Sequence, residues 1–122
     1  MKPLCFVLMP FGKKKDAKGR EIDFNTIYDE LIKQAIVAAD MEPIRADEEM
    51  VGGIIHKPMF ERLLMCEYAI ADLTTANANV FYELGVRHAS KPYSTLSIFA
   101  SDCTLPFDVQ MLRAYQIGRA HV

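Results

Sequence analysis

The sequence predicts an α/β fold built on a doubly wound parallel sheet, and three observations predict it. Two apolar runs without alternation, Leu4-Cys-Phe-Val-Leu-Met9 and Tyr68-Ala-Ile-Ala-Asp-Leu73, read as strands covered on both faces. Between them Phe24, Ile27, Tyr28, Leu31, Ile32, Ala35, Ile36 and Ala39 recur at helical spacing, with Asp29, Glu30, Lys33 and Gln34 on the other face. Strand-like and helix-like stretches then alternate along the whole chain through short connections. That alternation calls for parallel strands joined by right-handed crossovers.

Each element has its own warrant. Pro10-Phe-Gly12 ends the first strand, and Lys13 to Arg20 reads as a polar loop, either a cationic lip for an anionic ligand or a solvated connection. Asp23 suits the N-cap of the first helix. Met41-Glu-Pro-Ile-Arg-Ala-Asp47 is a short second strand, which Pro43 assigns to an edge or a strand start. Gly52-Gly53 frees the backbone before a helix over Met59 to Cys66, with Pro58 near its start and Phe60, Leu63 and Leu64 on its buried stripe. After the third strand, Asn79 is the expected N-cap of a helix carrying Val80, Tyr82, Glu83, Leu84, Arg87 and His88. Tyr93 to Ala100 supplies a fourth strand, and Asp108 the cap of a short last helix. The expected strand order is 2-1-3-4, the flavodoxin-like arrangement.

Composition narrows the function classes. The 122 residues are 51% hydrophobic and 25% charged, with a net charge of −2, which is the balance of a single soluble domain. Net acidity and the lack of a basic stripe argue against nucleic-acid binding. No apolar run approaches the ~18 residues of a membrane span, and the start has no signal-peptide pattern, so a cytoplasmic protein without a membrane partner is expected. Cys5, Cys66 and Cys103 show no Cys-x-x-Cys pairing and are expected as reduced thiols. His56 and His88 are isolated, so no metal site is expected. Ile117-Gly-Arg-Ala-His-Val122 matches the translation of a common short-read sequencing adapter. Residues 116–122 are therefore expected to be foreign, and the native domain, read over residues 1–115, to be truncated before a fifth strand.

The candidate site follows from the strand order. In a 2-1-3-4 sheet the switch point lies between the first and third strands, so Pro10-Phe-Gly12 and Asp72-Leu-Thr74 flank one crevice. The helix N-terminus near Asn79 opens into it. Glu83, about one turn into that helix, is the second acid. Two carboxylates there suit chemistry at a sugar C1′, one stabilising or trapping an oxocarbenium-like centre. Equally, Glu83 and Arg87 form an ordinary i, i+4 pair on a helix surface. Asp47 is open to two readings, a ribose-hydroxyl ligand or part of an acidic loop with Glu48 and Glu49. Gly53 and His56 lie on the loop facing the same edge, His56 as a ligand contact or as a plain exposed residue.

Val7-Leu-Met-Pro-Phe-Gly12, Gly52-Gly-Ile-Ile55, Ala71-Asp-Leu-Thr74 and Asn77-Ala-Asn-Val-Phe-Tyr-Glu-Leu-Gly-Val86 together resemble a Rossmann-like superfamily. It includes nucleoside 2-deoxyribosyltransferases, Toll/interleukin-receptor-like (TIR-like) domains and predicted nucleotide-binding proteins. The likeness is strongest to bacterial TRAFs-binding-domain, tetratricopeptide-repeat-containing proteins, related to the region before the kinase of stress-activated kinase kinase kinases. The resemblance covers Leu4 to about Tyr115. It implies a nucleoside- or nucleotide-binding signalling or defence module, with helical repeats following in the full-length protein and a homo-oligomer as an option. No cofactor is required; NAD or a nucleoside would be ligand or substrate. Glu83 matches the nucleophilic glutamate of the deoxyribosyltransferases, Asp72 the acid that holds the sugar or base, and Met9, Pro10 and Phe11 the place where the first loop wraps the ligand. Gly85 is implied to let the helix approach the sheet. Val80-Phe-Tyr82 does not reproduce the transferases' acid-containing surround. The implied alternatives are an enzyme cleaving an N-glycosidic bond and a non-catalytic interaction module.

Overall fold

The computed structural model describes residues 2–45, 57–100 and 114–117. Its main feature is a five-stranded, all-parallel sheet in the order β4-β1-β5-β6-β7. The strands are β1 (Leu4–Leu8), β4 (Glu42–Arg45), β5 (Tyr68–Asp72), β6 (Thr95–Phe99) and β7 (Ala114–Gln116). Helices pack on both faces, which fits a flavodoxin-like α/β fold. On one face lie α1 (Phe24–Ile27), a π turn (Tyr28–Ile32) and α2 (Lys33–Ala38), running on without a break. On the other lie α3 (Lys57–Met65) and α4 (Ala78–Ser90).

The strand order differs from 2-1-3-4 for two reasons. The stretch expected as a polar loop is folded: β2 (Lys13–Lys15) and β3 (Glu21–Asp23) form a separate antiparallel ribbon. The ribbon takes two numbers before the second strand of the sheet, so the segment at 42–45 is β4. Its tip is closed by Asp16, whose Oδ1 accepts from the backbone N–H groups of Lys18 and Arg20 at 2.9 Å each, with Gly19 at φ +80°. Ile22 anchors it to the core at 1% exposure. A single buried apolar residue in a charged stretch leaves no periodicity to read.

The second difference is β7. Residues 114–116 pair with β6 (Ser97↔Ala114, Ile98↔Tyr115, Phe99↔Gln116), and the Ile117 N–H donates to the Phe99 carbonyl at 3.0 Å. This corrects the expectation of a sheet ending before a fifth strand. A three-residue strand is held by backbone pairing along an open edge, and that pairing asks little of side chains. The expected cap at Asp108 lies outside the described residues.

Two apolar layers sandwich the sheet. Phe6, Leu8, Ala69, Ala71 and Phe99 meet Leu63, Cys66, Val80 and Leu84 on the α3–α4 side. Cys5, Val7, Met9 and Ile98 meet Ile22, Phe24, Tyr28, Ile32 and Ile36 on the α1–α2 side. The buried residues of this second helix recur every fourth position, from Phe24 to Ile36. At 3.6 residues per turn such a stripe drifts by about 40° per step. The π turn, with more residues per turn, takes up that drift and keeps Tyr28 and Ile32 on the sheet. Asp23 caps α1 as expected, its Oδ1 accepting from Asn25 N at 3.1 Å and Thr26 N at 3.3 Å. Pro43 sits in the edge strand, where its missing N–H is harmless. Cys5 and Cys66 are buried and form no disulfide among the described residues, and Cys103 lies outside them. Among the described residues no helix is long and apolar enough to cross a membrane.

Candidate functional site

β1 and β5 are neighbours, and the helices that follow them lie on opposite faces of the sheet. A parallel sheet parts at such a switch point, and the crevice opens beyond the strand C-termini. Two chain exits define it here.

The first exit is Met9 to Gly12. Met9 and Pro10 are buried, Phe11 is 37% exposed, and Gly12 has φ +65°, a left-handed conformation that favours glycine. The Gly12 N–H donates to Asn25 Oδ1 at 3.0 Å, and its carbonyl accepts from the Phe24 N–H at 2.9 Å. Arg45, at the end of β4 and 4% exposed, donates from Nη2 to the Pro10 carbonyl at 2.6 Å and from Nη1 to Asn25 Oδ1 at 2.8 Å. Neither Asn25 nor Arg45 was expected at the site. The available signal was a lone arginine inside the short apolar strand Pro43-Ile-Arg45.

The second exit begins at Asp72, 2% exposed. Its Oδ1 accepts from the Thr74 backbone N–H at 3.0 Å and from Thr74 Oγ1 at 2.6 Å, an Asx-type turn. Thr74 Oγ1 in turn accepts from the Ala100 N–H at 3.2 Å, tying the exits of β5 and β6 together. Burial raises the Asp72 pKa above the usual carboxylate range, and the two Thr74 bonds oppose that shift. Ala76 follows at φ +53°, a left-handed conformation that costs a non-glycine residue about 1–2 kcal/mol. Asn77 then caps α4, its Oδ1 accepting from Val80 N at 3.1 Å. The expected cap, Asn79, is instead an exposed residue inside the first turn. The turn of Leu73 to Ala76 sets which asparagine meets the open N–H groups, and that turn was not legible as such.

α4 carries the second acid on its buried stripe of Val80, Glu83, Leu84 and Arg87. Glu83 is 7% exposed, and among the described residues no hydrogen bond or ion pair reaches its carboxyl. Burial pushes its pKa from 4.5 up to about 7. The surface pair with Arg87 does not form. Arg87 is fully buried and donates from Nη1 to the carbonyls of Leu63 (3.0 Å) and Cys66 (2.7 Å). Its Nε donates to Thr95 Oγ1 at 2.9 Å and its Nη2 to Ser94 Oγ at 3.2 Å. It therefore knits the end of α3 to the start of β6. Gly85 is also not where the resemblance implied: a Cβ there would meet nothing within 4 Å.

The fold thus brings Met9, Pro10, Phe11, Gly12 and Asp72 to one sheet edge. Pleat alternation places Asp72 with Ile70 and Ile98 on the α1 side, while α4, with Glu83, packs on the Ala71 side. The two acids therefore lie on opposite faces of the sheet. Asp47, Gly53 and His56 lie outside the described residues. Among the described residues no three His, Cys, Asp or Glu side chains are grouped to hold a metal. A groove lined by Asp29, Lys33, Gln34, Val37 and Ala38 contains none of the expected site residues. No protein-family model matches the chain, and no curated protein matches it.

Proposed function

We propose that this chain is a nucleoside- or nucleotide-binding module of the TIR-like and deoxyribosyltransferase-like kind, with its site where β1 and β5 end. The observation that carries the reading is Glu83: an acid on the buried stripe of α4, 7% exposed as a residue, with no hydrogen bond or ion pair to its carboxyl among the described residues. An unpartnered buried acid is costly unless something else meets it, and a ligand's hydroxyls are suited to do so. Asp72 borders the same crevice from the other face, and Phe11 with Gly12 forms its first wall. In the full-length protein the module would serve signalling or defence beside a helical-repeat region, as the resemblance implies.

The test is thermal unfolding of the chain with NAD, AMP and 2′-deoxyadenosine added separately. A ligand at 100 times its Kd stabilises by about 2.7 kcal/mol, an easily read rise in Tm. Stabilisation by at least one, lost in Asp72→Ala, supports the reading. Silence from all three sinks it and favours an interaction module.

A second reading rests on the position of Glu83 on the inward stripe of α4, where burial raises its pKa to about 7 and so keeps both the acid and the carboxylate populated at neutral pH. A carboxylate so placed suits attack on, or stabilisation of, a sugar C1′ as an N-glycosidic bond breaks. Free base released from NAD or 2′-deoxyadenosine by the wild type, and abolished in Glu83→Gln with ligand stabilisation retained, would assign the enzyme.

A further inference from the structure

The first wall of the crevice, Pro10 to Gly12, has little in its own sequence to hold it still. Gly12 is the most permissive residue type, and Phe11 leaves 37% of its surface in solvent. The restraint comes from a residue 35 positions away, Arg45. Its planar fork places Nη2 on the Pro10 carbonyl at 2.6 Å and Nη1 on Asn25 Oδ1 at 2.8 Å. That same amide oxygen accepts the Gly12 N–H at 3.0 Å, so a single atom links Arg45 to Gly12. The guanidinium also lies over the Phe11 ring, 5.3 Å from its centroid, and over the Tyr28 ring at 5.1 Å. Tyr28 opens the π turn, so the local change of helical pitch sets one of the two rings that Arg45 contacts.

We propose that Arg45 is the positioning residue of the site: it fixes Pro10, Phe11 and Gly12 in the conformation a ligand meets at the β1–β5 edge. What the loop is positioned for rests on the functional reading above; that Arg45 positions it does not. The residue touches the loop through its carbonyl, through Asn25 and through the Phe11 ring. Lysine could satisfy one of these contacts and not the set.

The experiment uses hydrogen exchange and ligand affinity together, on the wild type, Arg45→Met, Arg45→Lys and Asn25→Ala. Methionine keeps apolar bulk against the two rings, and Asn25 is exposed, so Asn25→Ala keeps the test open where Arg45→Met fails to fold. The readout is the Phe24 N–H, which is bonded to the Gly12 carbonyl. Loss of these charge-assisted bonds predicts about tenfold or faster exchange there, with the β1 amides unchanged. Arg45→Lys should lie between wild type and Arg45→Met. Affinity for whichever of NAD, AMP and 2′-deoxyadenosine stabilises the wild type should fall about tenfold in step with the loop. Wild-type exchange at Phe24 in the variants overturns the proposal, and so does faster exchange with unchanged affinity. If none of NAD, AMP and 2′-deoxyadenosine stabilises the wild type, the functional reading falls, and the exchange result alone decides whether Arg45 holds the loop.

Discussion

Glu83 and Arg87 stand four residues apart on the buried stripe of α4, and they are not an ion pair. Arg87 donates to Leu63 O, Cys66 O, Thr95 Oγ1 and Ser94 Oγ, all on other elements, while the Glu83 carboxyl has no partner among the described residues. The acid and the base of the helix therefore have separate roles, and each can be tested without disturbing the other.

The pH dependence follows from Glu83. Its folded pKa of about 7 lies above the ordinary 4.5, so between those values the folded chain holds a proton that the unfolded chain has released. Stability is therefore highest at the acid end of this window and falls as pH rises from 4.5 to about 7. Allowing for water at the partly open carboxyl, the loss is on the order of 2 kcal/mol. Asp72, also raised by burial, acts in the same sense. Glu83→Gln should reduce the fall by the Glu83 share; urea melts of both proteins at pH 5 and pH 8 would measure it. A wild type no less stable at pH 8 than at pH 5 would refute the assignment.

Arg87→Ala should cost about 3–5 kcal/mol, because it opens a cavity and leaves two helix-end carbonyls without a donor. Arg87→Lys should recover only part, since one ammonium cannot reach α3, the Ser94 turn and β6 at once. Urea midpoints compare the three proteins.

Asn77→Ala removes the cap bond to Val80 N and should lower stability by about 1 kcal/mol. Asn79→Ala, at an exposed position inside the first turn, should change it little. Equal effects at both positions would contradict the placement of the helix start.

Gly85→Ala should stabilise the chain by up to about 1 kcal/mol, since the added methyl meets nothing and restricts the unfolded backbone. A loss of stability, read as a lower Tm, would mean that α4 does approach something closely there.

The sequence by itself determined the elements whose pattern is local. Leu4–Leu8 and Tyr68–Asp72 are strands because continuous apolar runs need cover on both faces, and Phe24 to Ala38 is helical because its apolar residues recur within one turn. Asp23 was legible as a cap for the same reason, since its bonds reach only two and three residues ahead. The α/β class with a parallel sheet followed from chain alternation; the β2–β3 ribbon and β7, which change the strand order, did not. Tertiary structure alone decided the partners of the long polar side chains. Arg45 meets Pro10 across 35 residues, and Arg87 meets Leu63 across 24. Nothing near either arginine encodes those carbonyls, because backbone acceptors are the same at every residue. It also decided that Glu83 faces inward without a partner among the described residues while Gly85 faces open space, a matter of how α4 is rotated against the sheet. Periodicity assigns a stripe to the core; only packing says what a polar residue on that stripe will find there.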